Sequence, residues 1–503
     1  MLMNKITTTI LISGALALGS CKKWLDVKPQ GQTTKDDMFL TQKGFRDALT
    51  GAYIDLKSDD AYGRSMTWST IEYLALNWDN PGNYPDIAAL MNANYTDAKV
   101  KTMFENIYAK EYKVIADVNS ILEKIDGKKT IFLEDNYALV KGEALTLRAF
   151  AHFDLLRMFG TMPNNPGADP ILPYVTTVSN EIVPLSNFDD FAKQVLADLD
   201  AAEVLLKDVD PIKQYSLLEL NPVLNSAAIP PVSDDYYMYR QIRMNYYAVL
   251  ALKARVYNWL VSRDGANRAN AAKYAQLVID AKDHFGNPTF RLGRLSDVQA
   301  GNPTFPSEHI AAISVFDLKL KAEGQLGEPG ILARSDFNYQ DGYYYLNNLF
   351  PIADRVSDAR FVNLWSYKTT SGQASFVKLK KFVQKETDPT LQIPLLRLSE
   401  MYLILTECAQ NKADAENYYS FYCEMKGIPF ASGFNAAGWE ADRKSKMIRE
   451  YVREFYAEGQ SFFTYKRYNV TTLPASWTAA YYNATPARYI VPKPDREYNY
   501  HNK

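Results

Sequence analysis

Through most of the chain apolar residues recur every three or four positions, the spacing that turns one face of a helix toward a core. A first helix is predicted over 41–57, opened by a capping signal at Thr41. Residues 99–125 carry Phe104, Ile107, Tyr108, Ile115, Val118 and Leu122 at helical spacing. In 142–160, Leu147, Phe150, Ala151, Leu155 and Met158 form one stripe that Gly160 closes. Further helices are predicted over 188–206, over 245–282 as two helices around an Asp264-Gly265 turn, and over 394–410, 412–426 and 440–458. The pairs 245–262 with 269–284 and 394–410 with 412–426 are close to the roughly 34-residue unit of tetratricopeptide repeats. The consensus is degenerate, so the expectation is stacked helix pairs rather than a uniform solenoid.

The pattern breaks in five places. Residues 58–97 hold Gly63 and "NWDNPGNYP" (77–85), strong turn chemistry. A Pro-rich connection spans 161–187, and another loop carries Pro222, Pro230 and Pro231. Residues 285–390 are rich in Gly, Pro, Asn and aromatics, with only short alternations such as "HIAAISVF" (309–316) and "FVKLKKFV" (376–383). They read as a loop-rich excursion with a few short strands. The tail, 469–503, is turn-rich, with "YIVPKP" as its last extended piece.

The N-terminus is a targeting segment. Lys5 precedes an apolar run over 6–19, shorter than the ~20 residues a membrane-spanning helix needs. Gly19 and Ser20 lead to Cys21, and Lys22 and Lys23 follow at once. "LGSC" resembles the lipobox of bacterial lipoproteins, which implies a lipid on the Cys21 sulfur and a mature chain beginning there. The plainer alternative is a secretory signal with an incidental cysteine. The chain then divides into a signal peptide (1–20), a lipid-anchored lead-in (21–40), a helical body (41–284), the excursion (285–390), and a second helical part with the tail (391–503). The fold class is mainly α, one body of tetratricopeptide-like pairs.

Composition narrows the function classes. With 47% hydrophobic residues in 503, a large core is assured, and a net charge of −2 offers no basic footprint for nucleic acid. Cys408 and Cys423 are expected as buried free thiols, although an oxidising compartment permits a disulfide. His152, His284, His309 and His501 are the only histidines, and neither HExxH nor CxxC occurs, so no metal or cofactor is expected. No G-x-S-x-G supports nucleophilic catalysis, and "GQLGEPG" (324–330) opens no helix. His152 reads as a packed histidine. Arg397, Glu400 and Glu407 share a stripe in an otherwise apolar helix, and Arg449, Glu450, Arg453, Glu454 and Glu458 offer them partners. The expectation is a charge lattice rather than a catalytic pair. With 58 acidic residues, a glycosidase pair can be neither picked out nor dismissed.

Tyrosine is abundant, at 35 against 24 Phe and 7 Trp. Flat rings on wet loops beside amides are the chemistry that grips sugars, because sugar rings present apolar C–H faces edged by hydroxyls. Two stretches meet that description, "NWDNPGNY" (77–84) and "DGYYYLNN" (341–348), with Trp365 close in sequence. Trp78, Asn80, Asn83, Tyr84, Tyr343, Tyr344, Tyr345 and Trp365 are therefore the candidate binding residues. The competing reading is that these aromatics anchor their loops to the body.

Four blocks together resemble the SusD/RagB lipoproteins of the Bacteroidetes: "CKKWLDVKPQGQTTKDDMF", "GEALTLRAFAHFDLLRMFGTMP", "IPLLRLSEMYLILTECAQNKADAENYYSFYCEMKG" and "IREYVREFYAEGQSFFTYKRYN". The sequence departs from the family pattern at Gln460 (often Arg), Thr464 (often Asp), Cys408 (often Ala) and Phe104 (often Trp). The resemblance implies a cell-surface outer-membrane lipoprotein, held by its lipid, that acts as a lid on a SusC-like TonB-dependent transporter. It also implies capture of a nutrient, usually an oligosaccharide, without catalysis. Three rivals stand beside this expectation: a peptide-binding RagB-like protein, a secreted glycoside hydrolase and a repeat scaffold.

Overall fold

The computed structural model describes residues 35–80, 82–221, 232, 234–327, 331–336, 349–350, 355–362, 364–370, 373–383, 391–430, 432–474 and 481–501. The fold is mainly α. Its longer helices are α1 (Gln42–Leu56), α2 (Ala98–Ile125), α3 (Asn136–Phe159), α4 (Phe188–Leu206), α5 (Tyr246–Trp259), α6 (Ala266–Ile279), α7 (Leu398–Cys408), α8 (Lys412–Lys426), α9 (Trp439–Glu454) and α10 (Ser461–Tyr468). Several start where a short polar side chain satisfies the free backbone donors of the first turn. Thr41 Oγ1 accepts from Gly44 N at 3.1 Å, and Asp97 Oδ1 from Lys99 N at 2.9 Å. Asn187, Asn245 and Asn411 do the same for α4, α5 and α8.

From α1 to α8 each helix packs on the next, so the chain lays down a stack of antiparallel hairpins in sequence order. Helix α3 lies inside this stack, and from Leu139 to Phe159 every side chain except Lys141 is buried. Its polar residues must therefore be paired, and they are. Arg148 reaches Asp198 of α4 through two bonds, of 2.7 and 2.6 Å. His152 donates from Nδ1 to Arg148 O at 2.9 Å and accepts at Nε2 from Val175 N at 3.0 Å, which fixes its tautomer. Its ring stacks on Tyr174 at 3.8 Å, so it is a packing residue. Two more two-pronged arginine pairs bind α5 to α7 (Arg255–Glu400) and α10 to α7 (Arg467–Glu407).

The strands that bear on the site are β1 (His309–Ser314), β2 (Arg334–Asp336), β3 (Trp365–Thr370), β4 (Gln373–Leu379) and β5 (Gln392–Arg397). Strands β1 and β5 pair antiparallel, Ser314 opposite Gln392 and His309 opposite Arg397. Strands β2, β4 and β3 form a three-stranded antiparallel sheet with β4 in the centre. The helix expected over 394–410 is thus a strand followed by a helix. A proline is tolerated in the first turn of a helix, so Pro394 does not decide this; residues 392–397 are extended because they pair with β1. Residues 58–97 also differ from the irregular reading, with helices at Thr70–Leu74 and Pro85–Met91. The tail holds a hairpin, Thr472–Pro474 with Tyr481–Asn483, and a last helix, Asp495–His501.

Where the strands meet the helices, five cations and five carboxylates are buried together. Arg397 contacts Glu308 (3.0 Å), Glu454 (2.6 Å) and Glu458 (2.9 Å). Lys426 joins Glu308 and Glu454, and Lys381 joins Glu458. Arg360 joins Asp358, Glu450 and Glu454, and Arg453 closes on Glu450. Burial alone would raise the Glu454 carboxyl, but Lys426, Arg397 and Arg360 hold it well below the usual carboxylate range. The expected lattice therefore exists, with a changed membership. Glu400 and Glu407 take their partners from α5 and α10, and Arg449 is exposed.

Two expectations follow. Arg397→Met leaves three carboxylates buried around an apolar chain and should cost about 3–5 kcal/mol of stability. Arg449→Ala should stay within about 0.5 kcal/mol, both read from denaturant midpoints. Burial also drives the His152 imidazole down to about 3. A folded value below the unfolded one means that stability is full above about pH 6.5 and falls as pH drops toward 3. His152→Gln keeps an acceptor for Val175 N and removes that titration. The variant's thermal stability should gain on the parent by up to about 1.4 kcal/mol per pH unit as pH falls through this window.

Candidate functional site

The turn at 76–84 is built on a rigid base. Leu76 takes a left-handed conformation, φ 58°, unfavourable for its side chain, and the surroundings hold it there. Its carbonyl accepts from Arg334 Nη1, and Asp79 N donates to Ala333 O at 3.0 Å, so the turn is clamped to the start of β2. Trp78 donates from Nε1 to Trp68 O at 2.8 Å and is fully buried. Its ring meets the ring of Tyr456 edge-on at 5.1 Å. Trp365, on β3, meets the same Tyr456 ring edge-on at 5.1 Å and is 6% exposed. Phe350 and Phe361 extend the row beyond Trp365. The Tyr456 hydroxyl donates to Asn77 O.

Tyr456 is therefore a post between the two indoles, joining the turn, the strands and the end of α9. The chain bends sharply just after it. Gly459 has φ +75°, and a Cβ there would lie 1.9 Å from Met66 O, so only glycine fits this close approach.

These positions correct part of the sequence reading. Trp78 and Trp365 offer no face to solvent, and a ring sealed on both sides cannot stack on a ligand. Asn80 is also buried, and its amide is occupied: Nδ2 donates to Tyr84 O at 2.7 Å and Oδ1 accepts from Tyr84 N at 2.9 Å. Asn80 thus shapes the tip. Asn83 and Tyr84 are the exposed members, Asn83 in a left-handed conformation and Tyr84 43% exposed. The Tyr84 ring lies over Gly82, where a Cβ would come within 2.2 Å of it. Cys21, Tyr343, Tyr344 and Tyr345 lie outside the described residues. Sequence reasoning did not pick out Trp68, Arg334 or Tyr456. Only the "FYAEGQ" bend after α9 hinted that a buried aromatic turns a corner there.

Two clefts open elsewhere. One, of about 440 Å³, lies between the α5–α6 hairpin and helices α9 and α10, and it adjoins a chamber of about 30 Å³. The other, of about 380 Å³, lies between the start of α2 and the tail. All four departures from the family pattern line these spaces: Cys408 the first, Gln460 and Thr464 its chamber, and Phe104 the second. Cys408 and Cys423 are free and buried, and burial pushes the Cys408 thiol up to about 12.

Trp78→Ala should empty a buried indole site and cost about 3–5 kcal/mol in chemical denaturation. Tyr84→Ala should leave the midpoint within about 0.5 kcal/mol, which separates base from tip in one experiment.

Residues 23–216 match the family SusD-like_3, described as "Starch-binding associating with outer membrane". Over 216 residues the chain is 30% identical to SusD-like protein P38 of Formosa agariphila, and the match covers 43% of this chain and 40% of that protein. SusD-like protein P25 of the same organism is 24% identical over 210 residues, 38% of this chain and 36% of that protein. The chain thus spans about two fifths of the length of these curated relatives. Solved structures extend the likeness in fold. A SusD-like carbohydrate binding protein from Bacteroides vulgatus superposes with a TM-score of 0.68 at 16% identity, over 92% of this chain and 97% of that one. A SusD superfamily protein from Bacteroides thetaiotaomicron gives 0.65 at 21% identity, over 92% and 98%. The N-terminal part of the chain is thus similar in sequence to SusD-like proteins, and the chain shares the fold of SusD superfamily structures over 92% of its length.

Proposed function

We propose that this protein is a cell-surface lipoprotein that captures an oligosaccharide and delivers it to a SusC-like TonB-dependent transporter in the outer membrane. The observation that carries this reading is the turn at 76–84. An exposed tyrosine and an exposed amide stand on a base that cannot yield, because Trp78, Tyr456 and Arg334 fix it from below. Such a tip can lay a phenol ring on a sugar face without paying for loop ordering. Tyr343, Tyr344 and Tyr345, outside the described residues, are proposed as further ligand rings on the aromatic and amide chemistry of their sequence alone. The family's starch-binding description agrees with this chemistry.

The mechanism is non-covalent. Ring faces take the apolar side of the sugar, the Asn83 amide takes a hydroxyl, and no step makes or breaks a bond in the ligand. A lipid on Cys21 keeps the bound sugar at the membrane surface, where a transporter can receive it. Among the described residues, no helix is long and apolar enough to cross a membrane.

A glycan array beside a peptide array tests the ligand class. The expected result is binding to a set of neutral oligosaccharides, weakened about tenfold by Tyr84→Ala at unchanged stability. Peptide hits without glycan hits would transfer the assignment to a peptide-binding relative. For the anchor, Cys21→Ser should move the protein from the membrane fraction to the soluble fraction.

A further inference from the structure

The 440 Å³ cleft has an unbalanced set of charges. Arg268 of α6, Arg443 and Lys444 of α9, and Arg467 of α10 line it, against Glu407 and Glu440, a formal surplus of two positive charges. Arg467 consumes Glu407 with bonds of 2.6 and 2.8 Å. The described hydrogen-bond partners of Arg268 and Arg443 are carbonyl oxygens, Glu407 O at 3.0 Å for Arg268, and Thr406 O at 3.1 Å and Ala409 O at 2.7 Å for Arg443, whose guanidinium also lies over the Trp439 ring. Those carbonyls close the C-terminus of α7, which carries about half a negative charge. Two guanidinium groups share that half charge. Lys444 is exposed above the Tyr468 ring. Burial, and then the nearby Arg268, hold Arg443 below the ordinary arginine range, as expected where positive potential is left over.

The adjoining chamber of about 30 Å³ shares Asn258, Trp259 and Arg467 with the cleft as a common wall. Three buried donors beside it have no hydrogen-bond partner, Trp259 Nε1, Arg255 Nη1 and the Tyr451 hydroxyl. Trp259 is 4% exposed and Arg255 6%. The other nitrogens of Arg255 bond Glu400 and the Leu395 carbonyl. An unmet buried donor is costly, and only an acceptor relieves it. A chamber of this size holds a water or two and no sugar ring, so it is the wet back wall of the larger cleft. The cleft itself falls within the range of small-ligand sites.

We propose that this cleft binds an acidic saccharide unit, a sugar ring bearing a carboxylate or a sulfate ester, with the anionic group held between Arg268, Arg443 and Lys444. It shares no residue with the turn at 76–84; the sugar ring in this inference rests on the saccharide-binding role proposed above, and the anionic group rests on the charges of the cleft.

The test is calorimetric titration of the full chain at low ionic strength with glucuronate, glucose 6-sulfate, glucose and inorganic sulfate. Glucuronate, glucose 6-sulfate or both should bind, glucose should not, and added salt should weaken the binding. Lys444→Gln and Arg268→Gln should each weaken it about fivefold, and Glu440→Gln should strengthen it by about as much. Opposite shifts from two exposed residues of one helix, Glu440 and Lys444, are what a merely structural role would not produce, and neither change should alter the melting temperature. Tyr84→Ala should leave this binding untouched. The proposal is overturned if the acidic sugars bind no better than glucose, if inorganic sulfate alone binds, or if the three charge variants leave affinity unchanged.

Discussion

A buried arginine, Arg397, holds the molecule's two kinds of structure together. It ends β5 at the first turn of α7, and its guanidinium reaches Glu308 just before β1 and Glu454 and Glu458 at the end of α9. Lys426 brings in the end of α8, and Arg360 and Lys381 bring in segments flanking the three-stranded sheet. Each of these charges is expensive to take out of water, and the set is tolerable because five positive and five negative groups are buried together. Removing one member leaves the others uncompensated, so the segments that supply them stay in one arrangement.

That arrangement determines what the nearby aromatics can do. Tyr456 follows α9 by two residues, and Glu458 of the charge cluster follows Tyr456 by two more. The ring between them is therefore placed by the ionic cluster and in turn places Trp78 and Trp365. The largest rings of the candidate region serve as its foundation, and contact with solvent is left to the smaller Tyr84 and Asn83. This division suits a binding surface, since a tip already fixed in place loses little entropy when a ligand arrives.

The cleft beside the end of α7 differs in electrical character. In the cluster around Arg397 the charges cancel inside the protein. In the cleft, carbonyl dipoles balance part of a cationic surplus, and three donors behind it remain without acceptors. The first pattern fixes a fold, and the second leaves a field that something from outside can neutralise. The same residue types serve both purposes, and what separates them is whether their partners are carboxylates or backbone oxygens.

Local sequence was enough to place most helices, because an amphipathic stripe and a short polar cap act within a few residues: Thr41 opens α1, and Asn187 and Asn245 open α4 and α5. The turn at 76–84 was legible for the same reason, as was the need of Arg397 and Glu454 for buried partners. Local sequence failed where the deciding neighbour is distant in the chain. Residues 392–397 are a strand because they pair with β1, some eighty residues earlier in the chain. Trp78 and Tyr84 look alike in sequence as aromatics on a polar turn, yet one is sealed and the other exposed. By itself, then, the sequence determined which segments are helical, where turns fall and which charges must be paired, all short-range matters of periodicity and capping. Tertiary structure alone decided which rings reach water and where positive charge is left unmatched, because exposure and field depend on what packs from the far side.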